Sequence, residues 1–93
     1  MLLIKVKMNR FKNLKKGWDG YNAEPISDVV INRSEKLKRI LSDKFQIFPT
    51  GRNSIQFELT DGDYYIEFEV FEDKTVIFEI DSSTKSGRRW ECL

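Results

Sequence analysis

The sequence predicts an α+β domain in which two N-terminal helices pack on one face of a three- to four-stranded antiparallel meander sheet. Apolar residues recur at a helical spacing up to about residue 42, and the spacing changes to two from residue 45 onward. Short turn signals separate the alternating segments, as in a meander. At 93 residues, the chain is expected to form a single domain, 1–93, with one core.

Both predicted helices lie in the first half of the chain. A helix over residues 6–16 is favoured because Phe11 and Leu14 continue a 3.6-residue stripe and Gly17 can take a left-handed cap. Residues 2–8 also alternate as a strand would, so a strand is the alternative there. After a loop at 17–26, Ser27 is a suitable N-cap for a helix over 28–42, with Asp28 in its first turn.

Four strands are predicted after the helices, at residues 45–48, 54–60, 63–71 and 75–81. The Asp61-Gly62 pair is typical of a type I′ hairpin, which places Thr60 opposite Asp63. Residues 82–93 form a polar tail, whose last four residues either add a short edge strand or dock Trp90 on the core.

The connection between the third and fourth strands decides which side chains share a face. A three-residue loop at 72–74 places Val70 opposite Val76 and keeps the apolar residues together. A two-residue loop at 72–73 instead places Val70 opposite Thr75 and mixes the two faces. The sequence therefore predicts the three-residue loop.

The loop at 17–26 carries an eleven-residue motif that starts Gly-Trp-Asp-Gly, at Gly17, Trp18, Asp19 and Gly20, and continues Tyr-Asn-Ala-Glu-Pro-Ile-Ser. It resembles a group of small prokaryotic and phage proteins, described only as hypothetical, that share Gly-Trp-Asp-Gly-x-x-Ala-x-Pro. The resemblance implies such an origin and a small α+β fold, and it supplies no activity. The residues themselves favour a structural loop in which Trp18 and Tyr21 bury against the helices; a ligand or partner pocket is the alternative.

Composition argues against the common kinds of catalytic site. The chain has no histidine, and its single cysteine, Cys92, has no partner for an internal disulfide and no base to activate it. The Asp61-Gly62-Asp63 triplet is explained by a hairpin rather than by a metal site. We therefore predict a nonenzymatic protein with no cofactor and no bound metal.

The net charge of +1 hides two halves of opposite sign. Residues 1–52 carry twelve Lys and Arg against five Asp and Glu, whereas residues 53–93 carry four against ten. The predicted registers collect five of these ten acids, with two apolar or aromatic residues, on the outer face of the sheet. The predicted partner-binding set is Glu58, Tyr65, Glu67, Glu69, Ile77, Glu79 and Asp81. Such a face suits a basic partner, and plain solvation is the alternative.

Basic residues surround both predicted helices and could follow a phosphate backbone. The possible nucleic-acid-binding set is Lys12, Lys15, Lys16, Arg33, Lys36 and Arg39. The first hypothesis is thus a small cytoplasmic protein-binding module, an antitoxin or an anti-CRISPR-like inhibitor, that occupies a basic groove. The second is a nucleic-acid-binding protein. No membrane segment is expected, and a homodimer is possible if the last strand leaves an open edge.

Overall fold

The computed structural model describes residues 8–93 and contains one helix and a five-stranded antiparallel sheet. The helix is α1 (Asp28–Ile40). The strands are β1 (Gln46–Thr50), β2 (Ser54–Asp61), β3 (Tyr64–Val70), β4 (Thr75–Asp81) and β5 (Ser86–Cys92). They follow one another as neighbours in the order β1-β2-β3-β4-β5. The predicted fold class, with two packed helices on three or four strands, is therefore wrong: the described chain is mostly sheet.

The predicted helix at 6–16 is reduced to a single helical turn at residues 8–11 within the described part, and residues 6 and 7 lie outside it. Met8 and Phe11 are buried and Leu14 packs against the core at the same three-residue spacing. The Leu14 N–H donates to the Phe11 carbonyl at 3.2 Å, a bond across three residues rather than four. The helical turn at 8–11 and the tight turn that follows it therefore bury the same side chains that a longer helix was expected to bury.

Helix α1 begins where the capping residues predict. The Ser27 Oγ accepts from the Val30 N–H at 3.3 Å, and Ser27 is the N-cap. Val30 and Ile31 are completely buried. The helix packs over β2 and β3, where Ile55 and Phe57 form the centre of the core. We call the side of the sheet that α1 covers the helix face and the other side the open face.

The β2–β3 hairpin is displaced by two residues from the predicted register. Asp61 lies opposite Tyr64, and Phe57 lies opposite Phe68. Gly62, with φ of +59°, is the first of the two loop residues, which is the position where a type II′ turn needs glycine. Because the shift is an even number, every side chain of β2 and β3 remains on its predicted face.

The β3–β4 hairpin has the register of the two-residue loop, so the predicted three-residue loop is wrong. Val70 lies opposite Thr75, and Phe68 lies opposite Ile77. The Phe71 N–H donates to the Lys74 carbonyl at 2.9 Å, which closes a two-residue loop. A shift of one residue moves every β4 side chain to the other face. Val76, Phe78 and Ile80 therefore lie on the open face, and Ile77 is buried on the helix face.

The segment expected to be a polar tail instead forms β5, which pairs with β4 along its whole length from Asp81–Ser86 to Thr75–Cys92. The connecting loop contains Lys85 at a φ of +55°, and the Lys85 N–H donates to the Ser82 carbonyl at 3.3 Å. All seven residues of β5 are exposed to solvent. Its structure therefore depends on the backbone ladder with β4 rather than on burial.

Candidate protein-binding face of the sheet

Two glutamates lie directly opposite each other on the open face. Glu58 of β2 pairs with Glu67 of β3, a like-charge arrangement that costs stability in an antiparallel sheet. The Tyr65 hydroxyl lies between them, with its oxygen 2.6 Å from Glu67 Oε1 and 3.1 Å from Glu58 Oε2. A phenol has one proton to donate, so the shorter contact, to Glu67, is the full hydrogen bond.

Tyr65 is held neutral by this arrangement. Burial, followed by the hydrogen bonds to Glu67 and Glu58, raises the pKa of the Tyr65 hydroxyl well above its ordinary value of 10. The ring also packs edge-on against Phe78, with centroids 6.4 Å apart. The phenol is thus fixed between an acidic pair on one side and an apolar strand on the other.

The third acid of the open face, Glu69, is neutralised within the chain. Its Oε2 accepts from Arg52 Nη2 at 2.8 Å, from Arg52 Nε at 3.0 Å and from Ser54 Oγ at 2.5 Å. The glutamate side chain is only 13% exposed. Glu69 therefore ties β3 to the β1–β2 turn, and Glu58 and Glu67 are the two acids of β2 and β3 on this face that have no basic partner within the described residues.

An apolar row lies next to the acidic pair. Val76, Phe78 and Ile80 are half-buried on the open face of β4, with Phe78 opposite Glu67. This row was not predicted, because the expected register placed its residues in the core. The signal that could have found them is the preference of antiparallel hairpins for two-residue loops, here residues 72–73. That preference predicts the observed register, whereas the alternation of β4 predicts the other one.

Ile77, Glu79 and Asp81 do not belong to this surface. The predicted acidic face included all three, but the β4 register places them on the helix face, with Glu79 opposite Ile66. Glu67 and Glu79, which the prediction placed on one face, therefore lie on opposite sides of the sheet. The structure brings together only Glu58, Tyr65, Glu67 and Glu69 of the predicted set.

On the helix face, Glu79 and Asp81 line a groove of about 440 Å³ with Tyr64 and Arg88. The Tyr64 hydroxyl donates to Glu79, and Arg88 Nε donates to the other oxygen of that carboxylate at 2.9 Å. The bond from Tyr64 and then that from Arg88 lower the pKa of Glu79. The bond to Glu79 in turn raises the pKa of Tyr64.

Asp81 is fixed by its own loop. The Ser83 hydroxyl donates to Asp81 Oδ1 at 2.6 Å, and this bond lowers the pKa of the Asp81 carboxyl. The Ser83 N–H donates to the same oxygen at 3.1 Å. These two bonds hold the turn between β4 and β5. They explain an aspartate at position 81 without any contact to a binding partner.

The motif loop is held by its own hydrogen bonds. The Gly17 N–H donates to the Ala23 carbonyl at 2.8 Å, and Trp18 Nε1 donates to the Glu24 carbonyl at 2.9 Å. Asp19 Oδ1 accepts from the Tyr21 N–H at 2.8 Å. Gly17 and Gly20 both have positive φ, which explains glycine at these two places.

Tyr21 differs from its prediction. Its side chain was expected to bury against the helices, but it is 83% exposed. Trp18 is half-buried, and its indole is used in closing the loop. The loop also attaches to the β1–β2 turn, where the Glu24 N–H donates to the Gly51 carbonyl at 3.0 Å. Its order is thus explained by contacts within the chain.

Two of the basic residues proposed for nucleic acid are used within the chain. Lys16 Nζ is 2.5 Å from Glu24 Oε2, and Arg33 Nη2 donates to Thr75 Oγ1 at 3.3 Å. The other four, Lys12, Lys15, Lys36 and Arg39, are exposed. They belong to two separate segments, one before the motif loop and one on α1.

Residues 8–93 contain no group of three or more side chains arranged to hold a metal ion. Within the same residues, no helix has the length and apolar character needed to cross a membrane. Comparison with protein-family models, with curated proteins and with solved structures finds no match to this chain.

Proposed function

We propose that this chain is a small nonenzymatic protein-binding module of prokaryotic or phage origin, whose open face binds a partner that presents both basic and apolar groups. The observation that carries the proposal is the juxtaposition of the Glu58–Glu67 pair with the apolar row of β4. Neither feature is expected of a face that only meets water, since an antiparallel sheet usually exposes polar, well-paired side chains there.

Electrostatics and desolvation both favour such a partner. A cation placed over Glu58 and Glu67 would remove the repulsion between two carboxylates that face each other across the strands. The neighbouring Phe78 and Ile80 would gain the apolar contact that α1 gives to the other face. A groove that binds nucleic acid has this basic character, so an inhibitor of the antitoxin or anti-CRISPR type would act by filling it.

The nucleic-acid alternative has less support. Of the six basic residues assigned to it, Lys16 and Arg33 already contact groups of their own chain. A gel shift at low salt, lost when Lys12, Lys15, Lys36 and Arg39 are changed to Ala, would establish that alternative instead.

The experiment is capture of partners from the native host, followed by measurement of affinity with the purified partner. Glu58→Gln/Glu67→Gln removes both negative charges. The Tyr65 hydroxyl can still donate to an amide oxygen at either position, so we expect the fold to be retained. Glu72→Gln/Asp73→Asn is the matched control, because both residues are exposed in the β3–β4 loop and their charge change is identical. We expect the first variant to bind at least about tenfold more weakly and the control to bind as wild type.

Phe78→Ser tests the apolar half of the face independently, and we expect it to weaken binding of the same partner. Equal binding by wild type, Glu58→Gln/Glu67→Gln and Phe78→Ser would contradict the proposal, as would equal loss in the loop control. Circular dichroism of each variant distinguishes a loss of binding from a loss of structure.

A further inference from the structure

The outer edge of β5 is an exposed template for another strand. β5 is the last strand of the sheet, and no strand among residues 8–93 pairs with its outer side. Its seven residues are all exposed, and Trp90 retains 37% of its accessible surface. An edge strand that carries unpaired backbone groups and a large aromatic side chain readily pairs with another chain.

The backbone hydrogen bonds show which residues of β5 face outward. The Phe71 N–H donates to the Lys74 carbonyl and the Ser82 N–H to the Asp63 carbonyl, which fixes the alternation of bonded pairs between β3 and β4. In β4, residues 76, 78 and 80 thus bond to β3, and residues 75, 77, 79 and 81 bond to β5. The backbone groups of Gly87, Arg89 and Glu91 consequently point to the outer edge.

The charges on β5 favour one way for two copies to meet. In an antiparallel pair related by a twofold axis, Arg89 opposite its own copy or Glu91 opposite its own copy would place like charges together. With Trp90 opposite Trp90 of the second copy, Arg89 of each chain instead lies opposite Glu91 of the other. The outward backbone groups of Arg89 and Glu91 then form hydrogen-bonded pairs, so charge and backbone alternation agree.

We propose that two copies of this chain pair antiparallel through β5, with the twofold axis at Trp90 and two Arg89–Glu91 ion pairs between the chains. Within one chain, Glu91 Oε2 is 3.8 Å from both Lys74 Nζ and Arg89 Nη1, so its carboxylate has room for a closer cation. On the helix face, the Arg88 guanidinium lies 4.9 Å from the centre of the Trp90 ring and would flank the pair of indoles.

The dimer extends the proposed function without depending on it. The twofold axis of an antiparallel strand pair is perpendicular to the sheet, so both open faces lie on the same side of one continuous sheet. The two acidic pairs and two apolar rows would then form a single surface. Because one strand edge buries less than a standard interface of about 1,600 Å², we expect a dissociation constant of about 10–100 μM.

Sedimentation equilibrium of the full chain tests this register. Arg89→Glu gives a chain with carboxylates at both positions, and Glu91→Arg gives a chain with guanidinium groups at both. Each variant alone should dimerise at least about tenfold more weakly than wild type, because like charges would then face each other. An equimolar mixture should recover a heterodimer, since both ion pairs are restored. Lys44→Glu and Glu72→Arg are controls with the same charge changes at exposed positions away from β5.

Recovery in the mixture supports the pairing, because loss of folding in either variant could not be repaired by mixing. Wild-type protein that remains monomeric at about 500 μM, several times the expected dissociation constant, overturns the proposal. A dimer that persists unchanged in both single variants also overturns it, since the two copies would then meet through another surface. Binding of a partner at the open face can be measured on the same variants, so failure here is distinguishable from failure of the proposed function.

Discussion

Removing the Tyr65 hydroxyl should destabilise the domain through the two glutamates that it joins. Tyr65→Phe retains the ring and its edge-on contact with Phe78, 6.4 Å away, and deletes only the donor. The lost bond, 2.6 Å long in the structure, ends on a carboxylate, and hydrogen bonds to charged groups contribute about 1.5–3 kcal/mol. Because the site is only partly buried, solvent screening reduces the expected loss to about 1–2 kcal/mol.

Urea unfolding followed by circular dichroism measures this loss directly. Thermal unfolding should show it too, since about 1 kcal/mol corresponds to about 4–8 °C in a domain of this size. Tyr21→Phe is the matched control, because that side chain is 83% exposed, and it should leave the free energy of unfolding unchanged.

The same substitution in a Glu58→Gln/Glu67→Gln background separates the charge of the acceptor from the loss of the hydroxyl. With neutral amide acceptors the bond is about half as strong, so Tyr65→Phe should then cost clearly less. A loss below about 0.5 kcal/mol in the wild-type background, or equal losses in both backgrounds, would refute the role given to this hydroxyl.

Two further predictions concern pH and the start of the helix. The hydrogen bond to Glu79 raises the pKa of Tyr64, and burial raises the pKa of Tyr65. Both phenols therefore stay protonated in the folded state at pH values where the same phenols lose their protons in the unfolded chain. Stability should therefore fall as the pH rises above about 10, and Tyr64→Phe/Tyr65→Phe should flatten that fall; an unchanged slope in thermal melts would contradict it. Ser27→Ala removes the acceptor of the Val30 N–H and should lower the free energy of unfolding, measured in urea, by about 1 kcal/mol. Ser83→Ala is the control, and it should leave the protection of the α1 amides from hydrogen exchange unchanged.

Local signals were sufficient for α1 and for the β2–β3 face assignment. Ser27 and Asp28 predict the start of the helix, because N-capping depends only on residues that are neighbours in sequence. In β2 and β3 the alternation is strict, with Ile55 and Phe57 on one parity and Glu58 on the other. An even shift of register leaves such a pattern unchanged, so the faces were right although the paired residues were not.

Alternation predicted the wrong register for β4 because the more apolar parity of this strand lies on the open face. Val76, Phe78 and Ile80 outnumber Ile77, so counting apolar residues assigns the wrong side to the core. The structure instead satisfies the tight hairpin and gives Glu79 bonds from two neighbouring strands. Bonds between residues far apart in sequence, such as Arg88 to Glu79, leave no periodic signal.

The extent of β5 was missed for a related reason, since an edge strand was left open only for the last four residues. Its sequence, from Ser86 to Cys92, is polar, and its residues are all exposed, so no burial pattern marks it as a strand. The ladder with β4 supplies its order. Within the described residues the first helix ends at Phe11 rather than at residue 16. The spacing of Met8, Phe11 and Leu14 fits both outcomes, and the competing contacts of the motif loop are not visible in the local sequence.

The β4 register also has a consequence for the energy landscape of the chain. Slipping the β3–β4 hairpin by one residue would bury three large side chains of β4 in exchange for Ile77, so the sequence contains a local conflict between hairpin geometry and hydrophobic burial. Such frustration makes the slipped arrangement the natural competitor of the native one. A partner that covers Val76, Phe78 and Ile80 can bind only the native arrangement, and its binding free energy would therefore select the fold as well as the complex.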